Sequence, residues 1–241
     1  MQTVQQRAGG GPQSPPEPIR RRISNFLSHW VSRLRVALLV ILVAAAAALI
    51  GYFVYSEVSK GRATAAASMA ERLQDQYDKW KAETDATRKA SMEKGLLDGL
   101  GTLISRYPRQ YGAERGLFLR AQINYEKKAW DASLADDQAL VARFPRSYLA
   151  PICLFNAAIC DEERGDTDSA LKLYVQASSD YKDSAVAPRA TFDAGRLYEA
   201  KNDWVSAQKT YQSMDEAYPQ SLWTRLAKNR LIDLKVLGKI K

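Results

Sequence analysis

An aromatic residue recurs along the chain at a fixed step of 37 residues, at Tyr107, Phe144, Tyr181 and Tyr218. Three of these residues precede a proline (Pro108, Pro145 and Pro219), and Lys182 follows the other one. Proline ends a helix because it lacks a backbone N–H and clashes with the preceding turn. A period of this length is typical of a helical-hairpin solenoid, in which each unit buries its apolar face by stacking on its neighbours. The sequence therefore predicts an all-α repeat fold and favours binding over catalysis.

Small residues keep the same step in two further sets, which are Ala121, Ala158 and Gly195, and Ser133, Ala170 and Ala207. Two helices approach closely only where side chains are small, so each pair predicts one helix crossing per unit. Pro151 and Pro188 stand where the first helix of a unit begins, a position that tolerates the missing N–H. Asp131, Asp166 and Asp203 follow short turns and are expected to cap the second helices.

With these positions the chain resembles the tetratricopeptide repeat (TPR) family, whose consensus has small residues at repeat positions 8 and 20 and proline at 32. Units counted from Glu114, Pro151 and Pro188 place the two sets of small residues at positions 8 and 20, and Pro145 and Pro219 at position 32. The consensus aromatic near position 24 is Tyr174 or Tyr211 in the later units and Asp137 in the first.

The TPR resemblance covers about residues 92–237, and the 37-residue step with its aromatic-Pro-x-Ser linkers is similar to bacterial envelope TPR proteins. It implies about three repeats, a leading half-repeat and a capping helix at 222–237. We therefore expect a TPR domain over residues 92–241.

Residues 36–55 form an uncharged apolar segment, VALLVILVAAAAALIGYFVY. At about 1.5 Å rise per residue, a helix of this length crosses a hydrocarbon core of about 30 Å. The segment is predicted to be a transmembrane helix that acts as an uncleaved signal anchor. A cleaved signal peptide is the alternative, although the preceding segment of about 35 residues exceeds the usual charged region of such a peptide.

The flanking charges predict the orientation of this segment. Six arginines and one acid, Glu17, precede it, whereas Lys60 and Arg62 after it are offset by Glu57. The positive-inside rule places the N-terminus in the cytoplasm and the repeats across the inner membrane, in the periplasm of a bacterium.

Three other segments complete the predicted organisation. Residues 1–18, rich in Gln, Gly and Pro, are expected to be a disordered cytoplasmic tail. Residues 19–35 predict a basic amphipathic helix, so that residues 19–55 would contact lipid; the alternative is a charge cluster that only sets topology. Residues 56–91 predict a stalk helix whose apolar stripe, from Met69 to Trp80, packs on the first repeat. This architecture resembles the ancillary subunit of the bacterial secretory translocon.

Composition and motifs argue against enzymatic and nucleic-acid functions. The net charge of +8 is concentrated in the arginine-rich N-terminal segment, which a topogenic role explains without nucleic acid. The single histidine, His29, lies outside the repeats, and no nucleotide-binding glycine loop occurs. Cys153 and Cys160 stand seven residues apart in one predicted helix, too far apart for a disulfide within that helix and best read as buried thiols. We expect no catalytic residues, metal or cofactor.

In TPR proteins the concave groove is lined by first-helix positions near 2, 5, 9 and 12. Carried onto this chain, position 5 gives a phenylalanine column of Phe118, Phe155 and Phe192. The charged and apolar neighbours at the other positions include Arg115, Arg189, Ile159, Arg196 and Tyr125. Such a column could hold an apolar peptide or helix face. The alternative is that the rings pack between hairpins.

The resemblance implies a non-catalytic adaptor that binds an unidentified protein partner for envelope or secretory machinery. Two alternatives remain open at this point. One is a chaperone-like holder of secreted clients, and the other is a self-associating scaffold that forms a homo-oligomer.

Overall fold

The computed structural model describes residues 19–241, with only the helical backbone described for residues 19–29 and 32. Within these residues the chain forms nine α-helices and no β-strand. Their bounds are α1 (Ile19–Ala82), α2 (Ala86–Arg106), α3 (Tyr111–Glu126), α4 (Trp130–Arg143), α5 (Ala150–Glu163), α6 (Thr167–Asp180), α7 (Ala187–Ala200), α8 (Trp204–Ala217) and α9 (Leu222–Val236). The predicted all-α hairpin solenoid is confirmed, and the predicted tail at residues 1–18 lies outside the described residues.

The chain divides into two compact units, one reaching to Ser59 and the other running from Lys60 to Lys241. In the first unit, α1 contains the apolar segment predicted from the sequence. Within Arg33–Ala82, an 18-residue window has a mean hydropathy of 2.7, and none of that window is buried. By length and composition, this part of α1 is able to cross a membrane.

In the second unit, the last part of α1 presents an apolar stripe to α2 and α3. Leu73, Tyr77 and Trp80 are buried in one cluster with Leu100 of α2 and Ile123 of α3. Their spacing of three and four residues places them on one helix face, which explains this packing.

The predicted stalk, residues 56–91, is not one continuous helix. It breaks after Ala82, because the Glu83 carboxylate accepts hydrogen bonds from the backbone N–H groups of Thr84 and Asp85 at 2.9 and 2.8 Å. Asp85 then caps α2 by accepting from the Arg88 N–H at 2.8 Å.

Each second helix ends at an aromatic residue of the 37-residue step. Tyr107, Phe144, Tyr181 and Tyr218 are the C-caps of α2, α4, α6 and α8. Their carbonyl oxygens accept hydrogen bonds from the N–H groups three residues later, at 2.9–3.0 Å, in all four linkers. The linker that carries Lys182 keeps this turn, so its backbone does not depend on the proline.

The hairpin turns each use one residue in the left-handed region. These residues are Lys128 (φ 58°), Gly165 (φ 80°) and Asn202 (φ 60°). Asp166 and Asp203 then cap α6 and α8 by accepting from backbone N–H groups at 3.1 Å. The expected cap at Asp131 is wrong, because the N-cap of α4 is Ala129, two residues earlier, and Asp131 lies within the first turn.

The small residues at repeat positions 8 and 20 are packed inside the three hairpins. All six are buried, and the Ser133 hydroxyl donates to the Ala121 carbonyl oxygen across the first crossing at 3.0 Å. In the third hairpin, a Cβ added at Gly195 would lie 2.8 Å from two atoms of the Tyr211 ring. The absence of a side chain at Gly195 therefore leaves the space that the Tyr211 ring occupies.

We predict that Gly195→Ala lowers the free energy of unfolding by about 1–3 kcal/mol, because overpacking forces the ring or the helix to move. Gly95→Ala is the matched control, since an added Cβ there meets nothing within 4 Å. In α2 this change is expected to raise stability by about 0.5–1 kcal/mol. Urea unfolding of the full-length chain in detergent, followed by tryptophan fluorescence, measures the unfolding free energy of both variants. A change of the same sign in the two would contradict the close contact between Gly195 and the Tyr211 ring.

Candidate partner-binding surface

The phenylalanine column lies between the first and second helices of the hairpins. Phe155 is only 5% exposed, and its ring centroid lies 5.3 Å from that of Tyr174 on α6. Phe192 lies 5.6 Å from Tyr211 on α8 and is half-buried, as is Phe118. These rings stabilise the hairpins, and Phe155 has little surface left to offer a partner.

Arginines cover the column and supply the exposed part of the surface. The Arg189 guanidinium lies 4.7 Å from the Phe155 ring centroid and 5.3 Å from that of Trp223. Nearly half of its side chain remains exposed. Arginine stacked on an aromatic ring keeps its in-plane N–H groups free to donate. This part of the surface is therefore both apolar and cationic.

A three-residue network, which we call the Tyr-Glu-Arg triad, joins successive helices in the later hairpins. It comprises Tyr174, Glu162 and Arg196 in one copy and Tyr211, Glu199 and Arg230 in the other. The tyrosine hydroxyls donate to the glutamates at 2.7 and 2.6 Å. The arginines donate to both carboxylate oxygens from the next first helix or from α9, at 2.7–2.9 Å. Each triad links a hairpin to its successor.

Burial in the two triads keeps the tyrosine hydroxyls protonated. Burial, followed by the hydrogen bond to the glutamate, raises the pKa of Tyr174 and Tyr211 above the ordinary tyrosine range. The hydroxyls therefore stay protonated and donate at every physiological pH. Glu199 is 8% exposed, and Arg230 neutralises its charge.

The first hairpin lacks the triad. Tyr125 stands at the glutamate position, Asp137 at the tyrosine position and Ile159 at the arginine position. Because Asp137 is far smaller than tyrosine, a cavity of about 180 Å³ remains between α3, α4 and α5. Asp137 lines this cavity and is 1% exposed, and neither of its carboxylate oxygens has a hydrogen-bond partner in the described part of the chain.

Two further cavities lie near the two ends of the second unit. One, of about 300 Å³, lies between α1 and α3 and is lined by Glu71, Asp75, Asp78 and Arg115. The other, of about 430 Å³, lies between α7, α8 and α9 and includes Arg196 and Arg230. The cavity near α1 is thus richer in carboxylates and the one near α9 in guanidinium groups, an asymmetry that can orient a charged ligand.

A model of the tetratricopeptide repeat-like domain family matches residues 28–236, which is most of the chain. The chain belongs to this family. No curated protein matches the sequence. The TPR resemblance inferred from the 37-residue step is therefore confirmed, and TPR-like domains typically mediate protein–protein interaction.

A fourth cavity of the TPR domain, larger than the three described above, lies away from the predicted groove. It encloses about 710 Å³ with mostly apolar walls, and it includes Tyr148, Ile152, Lys182 and Val186. These residues belong to the linkers before α5 and α7 and to the helix starts. Sequence reasoning missed this cavity, because linker residues carry no period that indicates how two loops pack.

The described part of the TPR domain offers acidic and basic groups but no clustered metal ligands. No group of three His, Cys, Asp or Glu side chains gathers there. Cys153 and Cys160 are free and buried, and burial raises the pKa of both thiols. Such thiols are poor nucleophiles because little thiolate forms at neutral pH.

Asp137 is predicted to make stability depend on pH. Burial, opposed by a contact with the Cys153 thiol and increased by the Asp136 charge, raises its pKa from 3.8 to about 7. The folded chain then holds a proton that the unfolded chain releases between these values. Stability is fully present below about pH 4 and falls as pH rises to about 7, by up to roughly 4 kcal/mol at 1.36 kcal/mol per pKa unit.

The difference in unfolding free energy between the wild type and Asp137→Asn isolates this effect, since the other titrating groups are common to both proteins. Urea unfolding at pH 4, 5, 6, 7 and 8 should show the wild type losing stability relative to the variant as pH rises. A difference that stays constant over this range would show that Asp137 keeps an ordinary pKa.

Proposed function

We propose that this chain is a membrane-anchored, non-catalytic TPR adaptor that holds a protein partner at the extracytoplasmic face. The observation that carries the proposal is the exposed first-helix face, where Arg189 lies over the buried Phe155 ring and Arg196 remains 45% exposed. Family membership supports it, because TPR-like domains are typically interaction modules.

The proposed contact surface combines anchoring and orienting groups. Tyr125 is 37% exposed, and Ile159 is half-buried beside it. The side chains of Arg189 and Arg196 are 48% and 45% exposed. Phe118, Phe155 and Phe192 lie beneath or beside these groups, and Arg115 extends the surface toward α1. An amphipathic helix or extended peptide fits such a face, with apolar anchors on the rings and carboxylates toward the α9 end.

Anchoring rests on the apolar segment of α1 and the arginines that precede it. The segment's length and hydropathy support a membrane span, and the charge bias supports a cytoplasmic N-terminus. Residues 19–55 would then contact lipid, and the TPR domain would act on envelope or secretory proteins.

A scaffold that self-associates is the second candidate, favoured by the capping helix α9. Apolar side chains that a solvated cap would not require are exposed there, namely Leu222 (54%), Ile232 (63%), Val236 (81%) and, at its C-cap, Leu237 (62%). Terminal repeats usually carry a polar outer face. A second copy packed on α9 would bury these residues.

We predict that a photoreactive p-benzoylphenylalanine at Arg196 captures one or two dominant envelope proteins in living cells. The same residue at Lys209, exposed on α8, is the matched control and should capture far less. Crosslinked products are identified by mass spectrometry. Capture of a broad set of secreted clients would favour the chaperone-like holder over the adaptor. Capture of this chain alone would favour the self-associating scaffold.

The proposed topology predicts where an introduced cysteine can be labelled. The chain's own Cys153 and Cys160 are buried and should not react with the maleimide. A membrane-impermeant maleimide added to intact spheroplasts is expected to label Ser213→Cys, which is exposed on α8, and not Ser14→Cys. Both should label after detergent lysis. Labelling of Ser14→Cys alone in intact spheroplasts would show the opposite orientation, with the TPR domain in the cytoplasm.

A further inference from the structure

The four linkers that follow α2, α4, α6 and α8 lie at one edge of the TPR domain, which we call the linker edge. They comprise residues 107–110, 144–149, 181–186 and 218–221. Helices joined by such short connections run antiparallel, so the linkers gather at one end of the hairpins and the turns at the other. The Tyr181 hydroxyl donates to the Pro145 carbonyl oxygen of the preceding linker at 2.8 Å, which shows that neighbouring linkers are in contact.

An apolar side chain is exposed at or next to three of these linkers. Tyr111 is 54% exposed, Tyr148 65% and Leu222 54%. They share one repeat position, because steps of 37 residues lead from Tyr111 through Tyr148 and Ala185 to Leu222. Ala185 is also exposed and lines the cavity of about 710 Å³. Single exposed apolar residues are ordinary on a protein surface, whereas this apolar column recurs with the repeat and marks one edge.

Exposed cations stand beside the apolar column. Arg109, Arg146 and Lys182, which we call the linker cations, are accompanied in the linkers by one acid, Asp183, and all four are exposed. Tyrosine is enriched where a membrane meets water, because its ring is apolar and its hydroxyl polar. Lysine and arginine are attracted to anionic headgroups. The composition of the linker edge therefore suits an anionic lipid surface.

The part of α1 that belongs to the second unit enters at this edge. The Arg62 guanidinium donates to the carbonyl oxygen of Arg106, the last residue of α2, at 3.4 Å. A Cβ added at Gly112, in the first turn of α3, would lie 2.7 Å from the Ala66 carbonyl oxygen. Both contacts lie beside the first linker, so the chain that comes from the apolar segment reaches the TPR domain at the linker edge.

The chain between the apolar segment and the linker edge is short. Seven residues lead from Tyr55, where the segment ends, to Arg62. Seven residues span at most about 25 Å, whatever the angle between the two units. The opposite edge is marked by Lys81, whose ammonium lies 3.4 Å from the Glu126 carboxylate beside the first turn. Nineteen residues of helix lead from Arg62 to Lys81, which places the turns about 28 Å from the point of attachment.

We propose that the linker edge binds the surface of an anionic lipid bilayer, the one in which α1 is anchored. The apolar column lies at the headgroup level, and the linker cations pair with lipid phosphates. This inference rests on the proposed membrane anchoring and adds a second, peripheral contact with the same bilayer. Because the attachment is short, docking is intramolecular, so contacts that would bind a free domain weakly are sufficient. The excess of cations disfavours a second copy of the same edge, since like charges would face each other.

An environment-sensitive fluorophore at introduced cysteines measures the depth of the edge. The full-length chain is placed in nanodiscs of three parts phosphatidylcholine and one part phosphatidylglycerol, with and without a lipid that carries a doxyl quencher near its headgroup. A nitrobenzoxadiazole label at Ala185→Cys should be quenched. The same label at Val205→Cys, 79% exposed in the first turn of α8 and close to the opposite edge, is the matched control and should not be quenched. The chain's own cysteines are buried and should stay unlabelled.

Charge variants in the Ala185→Cys background test the linker cations. Arg109→Gln combined with Arg146→Gln should lower the docked-to-undocked ratio by roughly 25-fold, since each cation near an anionic surface contributes about a factor of five. Lys172→Gln combined with Lys209→Gln removes the same charge from exposed positions of α6 and α8 and should leave quenching unchanged. Circular dichroism verifies the fold of each variant.

A label at Ile50→Cys, in the apolar segment, reports the anchoring separately. Quenching at Ile50→Cys without quenching at Ala185→Cys would overturn the lipid contact and leave the anchoring intact. Equal quenching at Ala185→Cys and Val205→Cys would also overturn the contact of this edge. Absence of quenching at Ile50→Cys would overturn the anchoring and, with it, this inference.

A protein that covers the same edge is the competing outcome. With p-benzoylphenylalanine at Tyr148 in living cells, no dominant protein should be captured, in contrast to capture from Arg196. Capture of one dominant protein from Tyr148, a second copy of this chain included, would assign the edge to a protein interface and overturn the lipid contact.

Discussion

The close approach of two helices at one small residue each is the constraint on which the TPR domain depends. In the first hairpin, the Ser133 hydroxyl reaches the Ala121 carbonyl oxygen at 3.0 Å, a distance that larger side chains would forbid. In the third, the absence of a Cβ at Gly195 admits the Tyr211 ring. At that separation, a tyrosine on a second helix can reach a glutamate on the first helix of the same hairpin.

The tyrosine-bound glutamates then connect one hairpin to the next. Glu199 is nearly buried, so its charge requires the bidentate contact from Arg230. Burying one member of an ion pair without the other is strongly destabilising, whereas the intact pair fixes the register of neighbouring helices. The same arginines also form the exposed face. Changes to this face therefore affect stacking as well as partner binding, which is why the proposed contacts include residues of both kinds.

The first hairpin departs from the pattern of the two later hairpins, and the departure costs stability. Where the later hairpins place a tyrosine, Asp137 leaves an open volume and a carboxyl group without a partner. Burial raises the pKa of this group to about 7, so the folded domain holds it mainly in the protonated form below that pH. The neighbouring repeats supply the internal comparison that makes the departure visible.

The sequence by itself determined the repeat period, the all-α class, the helix ends at Tyr107, Phe144, Tyr181 and Tyr218, and the apolar segment of α1. These features follow from local chemistry, since proline, small residues and apolar periodicity act within a few residues. Only the tertiary structure decided that Phe155 is buried under Arg189 and that Asp137 is buried without a hydrogen-bond partner. Both depend on distances between helices far apart in sequence, which no local pattern specifies.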